Sequence, residues 1–121
     1  MLPDSVPPIH RGLAIAAALS LALAVTAGAF GAHGAATAQA ADWLRTGGVY
    51  QMIHALGALL IAARHPRIAG TLLIGAAIFA ATLYAMALGA PRWLGAVTPI
   101  GGALMILAWL ALALTYLRRA A

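Results

Sequence analysis

Four stretches of about 20 apolar residues, each bounded by arginine, decide what this 121-residue chain can become. They run from about Gly12 to Ala32, Trp43 to Ala63, Ile68 to Leu88 and Trp93 to Leu117. At a rise of about 1.5 Å per residue, each covers the roughly 30 Å hydrocarbon core of a bilayer. In that solvent every backbone N–H and C=O must find its partner within the segment, which forces helices. A β-barrel would alternate with period two, and these runs are continuous. The expected fold is all-α: a four-helix transmembrane bundle, one membrane domain spanning residues 1–121.

Composition agrees. Hydrophobic residues make up 64% and charged residues 7%, against about 25% charged in an ordinary soluble domain. Disorder needs the opposite balance. Cysteine is absent, which excludes disulfides, thiolate catalysis and thiolate metal sites. The net charge of +5 comes with seven basic residues, all arginine, placed at the ends of the apolar runs. That placement is topological and makes no basic face for nucleic acid.

The connections have their own signals. Pro66 disfavours helix at His65 and makes Arg64-His65-Pro66-Arg67 a tight turn. Gly89-Ala90-Pro91-Arg92 does the same after the third run. Thr98-Pro99 reads as N-cap and first helical position, so the fourth helix starts there and Trp93 to Val97 lie in the interface. Trp43, Trp93 and Tyr116 sit where aromatic belts belong. Arg11, Arg64, Arg67, Arg118 and Arg119 fall on one side, Arg45 and Arg92 on the other. Five against two places both termini in the cytoplasm and the 33–42 and 89–92 connections outside. The leader through Arg11, the first run and Ala38-Gln39-Ala40 imitate a signal peptide. The run exceeds the usual 7–15 or so apolar residues of such a signal, so the first span is expected to stay.

Between apolar helices in lipid, close backbone approach replaces water exclusion as the driving force. Ser20, Ala24, Gly28 and Ala32 form a stripe suited to it, and Ala14, Ala18 and Ala22 a second. Gly70, Gly75 and Ala81 thin the third helix; Gly101, Gly102 and Ala103 thin the start of the fourth.

Polar groups inside a bilayer are expensive and each invites an explanation. The candidates are His33, Tyr50, Gln51, His54, Thr82, Tyr84 and Thr98. Tyr50, Gln51 and His54 share a helical face by their spacing of three and four. All fall in the outer halves of their spans or near the midplane, so one polar cluster is expected there, over an aliphatic inner half. Two imidazoles without an intramembrane carboxylate are too few for a metal, and none is expected. The default role of the cluster is hydrogen bonding between helices; His, Tyr and Gln also suit a quinone carbonyl or a lipid headgroup. Arg64 and Arg67 are placed to meet anionic headgroups. His10 and His65 belong to the same boundary. Phe30, Phe79, Met52, Met86 and Met105 are expected to pack. Ser5 lies in the leader and Ser20 has no base nearby, so no nucleophile is expected.

Gly28-Ala29-Phe30-Gly31-Ala32-His33-Gly34, Tyr50-Gln51-Met52-Ile53-His54-Ala55-Leu56, Leu83-Tyr84 and Leu94-Gly95-Ala96-Val97-Thr98-Pro99-Ile100-Gly101-Gly102 resemble, in order, the signatures of the small inner-membrane family called domain of unknown function 423, the YgdD/YwdK-like proteins. The likeness covers roughly residues 12–117. The family pattern has Ser-Gly-Ser before the Leu-Tyr pair, where this chain has Ala80-Ala81-Thr82. The resemblance implies an integral membrane protein of about four helices and no established activity. The expected function is a non-enzymatic structural or accessory bundle without a cofactor. Its partners are the lipid bilayer and either further copies of itself or a larger membrane complex. The alternatives are a lipid- or quinone-binding protein and a small oligomeric transporter or channel; the aliphatic inner half speaks against a pore within one protomer.

Overall fold

Each helix begins where the local sequence supplies a start. The computed structural model describes residues 7–120, which leaves Asp4 and Ser5 of the leader outside the described residues. The helices are α1 (Arg11–His33), α2 (Ala38–Ile61), α3 (Pro66–Ala87) and α4 (Thr98–Ala120), with a short 3₁₀ turn over Arg92–Ala96. Pro66 opens α3 at a position where its missing N–H costs nothing. α4 starts at Thr98, one residue before the first helical position expected at Pro99, and the Thr98 hydroxyl does not act as the expected N-cap: it bonds Thr82 and the Leu94 carbonyl instead. α2 starts five residues before its apolar run. The Thr37 hydroxyl accepts from Ala40 N–H at 3.0 Å and caps it, so the alanine run that imitates a cleavage site is the first turn of a helix.

Three helices are long and apolar enough to cross a membrane among the described residues: α1, α3 and the stretch Arg92–Arg119 that contains α4. α2 is long enough but less apolar, because it carries Gln39, Asp42, Arg45, Gln51 and His54. It is also one of the two inner helices. α2 and α3 pack as the central pair, α1 lies against α2, and α4 lies against α3.

Neighbours run antiparallel. Gly31 meets Leu44 and Ala41, while Gly48 meets the Ala24 carbonyl and Gly28 N–H lower on α1. Ala17, Ala24 and Ala27 are buried in this seam. The first small-residue stripe therefore packs as far as Gly28; Gly31 replaces Ala32, which is exposed, and Ala18 and Ala22 of the second stripe face outward. α3 and α4 touch backbone to backbone. A Cβ on Gly101 would lie 2.5 Å from both the Gly75 carbonyl oxygen and the Phe79 nitrogen.

The aliphatic core occupies the arginine-rich half: Ala17, Ala55, Ala58, Ile61, Leu72, Ala108 and Leu112 among others, with Leu72 fully enclosed. Outward faces are large and apolar, with Leu19 66%, Ile106 62% and Leu110 60% exposed. Hydroxyls on or near those faces satisfy themselves locally, Thr26 on the Ala22 carbonyl and Thr71 on the Arg67 carbonyl.

Candidate functional site

The polar residues of the half away from the arginine-rich end do not form one centre. They form three separate contacts on α2, α3 and α4. Gln51 is buried, and its Oε1 accepts from the Tyr84 hydroxyl at 2.7 Å, tying α2 to α3. The Tyr84 ring fits only because residue 47 is glycine: a Cβ there would lie 2.7 Å from the ring. Thr82 and Thr98, both buried, share a hydrogen bond of 2.7 Å that ties α3 to α4. Thr82 also reaches the Ile78 and Phe79 carbonyls, and Thr98 the Leu94 carbonyl. The separation follows from helix geometry: residues two apart, such as Thr82 and Tyr84, point about 200° from each other.

The third contact is aromatic. His54 is buried and its Nδ1 lies 2.6 Å from the Tyr50 carbonyl oxygen, an approach that assigns the proton to Nδ1. Its ring stacks on Tyr50 at 6.1 Å between centroids and lies 5.9 Å from Trp109 of α4. Tyr50 also packs on Phe79 at 4.7 Å. The Trp109 ring covers Gly57, where a Cβ would come within 2.8 Å. Tyr50 is 44% exposed. Trp109 and Gly57 are partners that the polar pattern does not include; their signal in the sequence is a tryptophan deep in the fourth run and a glycine three residues from His54.

His33 takes no part in these contacts. It ends α1, exposed, on the level of Ala41 rather than Gln51. Gln51 lies seven residues beyond Leu44, about 10 Å further down α2. Spacing within one helix sets Tyr50 beside His54, whereas Gln51 turns to Tyr84 on α3, and the depth of His33 depends on the register between helices. None of the described cavities is lined by Gln51, His54, Tyr84, Thr82 or Thr98. Among the described residues no group of three or more His, Cys, Asp or Glu gathers in one place.

The two ends of the bundle differ in charge. At the end where α2 begins, Arg45 pairs with Asp42 at 2.8 Å and Arg92 lies over the Trp43 ring at 5.9 Å. At the opposite end Arg64 and Arg67 flank the α2–α3 turn, both exposed. His65 packs edge-on against Tyr116 at 6.2 Å, which brings the end of α4, with Arg118 and Arg119, to the same level.

The family described as "Protein of unknown function (DUF423)" matches residues 27–102. The chain is 40% identical over 112 residues to a UPF0382 membrane protein of Staphylococcus saprophyticus, covering 81% of this chain and 90% of the relative. It is 38% identical over 106 residues to a UPF0382 membrane protein of Haemophilus influenzae, covering 79% and 86%. It is 34% identical over 110 residues to the UPF0382 inner membrane protein YgdD of Escherichia coli, covering 82% and 84%. No solved structure matches it.

Proposed function

The chain belongs to the DUF423 family of membrane proteins of unknown function, and from that premise we propose that it crosses the inner (plasma) membrane four times, with both termini in the cytoplasm, as a non-enzymatic structural or accessory bundle. One observation supports this reading above others. The buried polar side chains Gln51, Thr82, Thr98 and His54 have partners inside the bundle, Gln51 with Tyr84, Thr82 with Thr98 and His54 with the Tyr50 carbonyl, and none of them lines a described cavity. Such pairs hold helices together in lipid and leave little for a substrate. The surface offered outward is aliphatic, on α1 and α4, and suits lipid together with a second copy or a larger membrane complex. The five arginines at one end orient the bundle by the positive-inside rule.

The natural lack of cysteine makes the topology testable with single introduced thiols. In intact cells Ala36→Cys should react with a membrane-impermeant maleimide and Arg119→Cys should react only after permeabilisation. Gentle solubilisation followed by mass spectrometry should recover a stoichiometric protein partner or a defined oligomer. A solitary monomer would overturn the accessory role.

A second reading, a lipid- or quinone-binding face, has one observation in its favour: Tyr50 is exposed beside the buried His54, and its hydroxyl makes no hydrogen bond among the described residues. A quinone-like molecule that co-purifies and is lost in His54→Ala would select it.

A further inference from the structure

Arg67 borders three open surface depressions at once. One of about 450 Å³ lies between the starts of α1 and α3, bordered by His10, Leu13 and Arg67. One of about 370 Å³ sits at the α2–α3 turn, bordered by Arg64, His65, Arg67 and Ile68. The third, about 240 Å³, is a groove that starts at Arg67 and Ile68 and runs between α3 and α4, past Thr71, Leu104, Leu107 and Ala111. The turn cavity and the groove share Arg67 and Ile68, so a basic opening continues into an apolar furrow.

Chemistry at the opening favours an anion. Arg64 and Arg67 are exposed, and no carboxylate among the described residues lies at this end. α3 begins there without a side-chain cap and without an acid in its first turn. Its first N–H groups and the positive end of its dipole face outward. His65 lines the turn cavity, and its Nε2 is buried without a hydrogen-bond partner. Along the furrow the only hydroxyl, that of Thr71, is already bonded to the Arg67 carbonyl, so a hydrocarbon chain meets no unsatisfied donor from it.

We propose that this end of the bundle holds one anionic phospholipid, its phosphate at Arg64, Arg67 and the uncapped start of α3, and an acyl chain in the α3–α4 groove. The assignment uses the membrane reading in one respect, that the arginine-rich end meets a bilayer surface. The same phosphate chemistry occurs in free inorganic phosphate; the continuity of the apolar groove selects the lipid.

The test is native mass spectrometry of the full chain in detergent, mixed with phosphatidylglycerol or with phosphatidylcholine of the same acyl chains. A one-to-one adduct should persist with phosphatidylglycerol and be weak with phosphatidylcholine. Arg64→Gln with Arg67→Gln should weaken it roughly 25-fold, about fivefold for each basic group near an anionic headgroup. Arg118→Gln with Arg119→Gln should change it by less than about twofold if position rather than overall charge matters. Ala111→Phe, on the exposed wall of the groove, should also weaken the adduct while every arginine remains. Circular dichroism checks that each variant keeps its helices, and Ala111→Phe serves if the arginine pair fails to fold. Equal retention of both lipids, or equal losses for the two arginine pairs, would overturn the site. Displacement by millimolar inorganic phosphate would assign it to a free anion, and an unaffected Ala111→Phe would overturn the groove. Recovery of a protein partner does not enter this readout, so the accessory role and the lipid site fail separately.

Discussion

The Tyr84 hydroxyl donates to Gln51 Oε1 at 2.7 Å while the Tyr84 ring lies against Gly47, so one side chain holds α2 and α3 together through a polar tip and a flat face. The two roles separate by mutation. Tyr84→Phe keeps the face and should cost about 0.6 kcal/mol, the usual strength of an interhelical hydrogen bond in lipid. A double-mutant cycle with Gln51→Leu, read as unfolding free energy in bicelles, should give coupling of that size. Coupling indistinguishable from zero would mean that the bond adds nothing to the helix pair.

Glycines of this chain should respond to alanine in opposite directions. At Gly101 a Cβ meets backbone, the Gly75 carbonyl oxygen and the Phe79 nitrogen, which cannot swing aside. Gly101→Ala should force α3 and α4 apart and cost about 1–3 kcal/mol, as overpacking does. At Gly28 nothing lies within 4 Å of the added carbon, so Gly28→Ala should be neutral or gain up to about 1 kcal/mol from helix propensity. Thermal unfolding in one detergent compares them directly.

Leu72 is fully enclosed among Ala and Leu side chains of the aliphatic half. Lipid does not fill such a gap readily, and lost packing contacts are the main loss when helices associate without water exclusion. Leu72→Ala should destabilise by about 2–5 kcal/mol. Ile74→Ala, on an exposed position of the same helix, should change stability far less in the same unfolding assay.

Trp109 offers a spectroscopic reading of the aromatic contact. The added carbon of Gly57→Ala would lie 2.8 Å from the far edge of that ring, which can rotate away at modest cost. With Trp43 and Trp93 replaced by Phe, leaving one of the three tryptophans, the emission of Trp109 should shift in Gly57→Ala and stay unchanged in Gly28→Ala. Identical spectra would place the ring elsewhere.

Much of the architecture is legible in the chain because proline and lipid impose local rules. Pro66 and the Thr98-Pro99 pair mark helix starts whatever surrounds them. The early start of α2 was hidden because Thr37 caps a stretch of small and polar residues that hydropathy does not count. The split of the polar set was hidden for another reason. Spacing along one helix fixes which residues share a face, but the partner of each face depends on register across helices. Hence the spacing of four sets Tyr50 beside His54, while Gln51 and Tyr84, Thr82 and Thr98, and His33 part into separate places that no spacing within one helix reveals.

One of the two central helices is also the least oily of the four. α2 places Gln51, His54 and Gly48 where α1, α3 and Trp109 cover them, so its fitness for the bilayer is supplied by neighbours. In a four-crossing arrangement such a segment should enter the bilayer better as half of a hairpin with α3 than alone. Deleting α3 should then strand α2 outside the hydrocarbon and leave a short product that quality-control proteases remove.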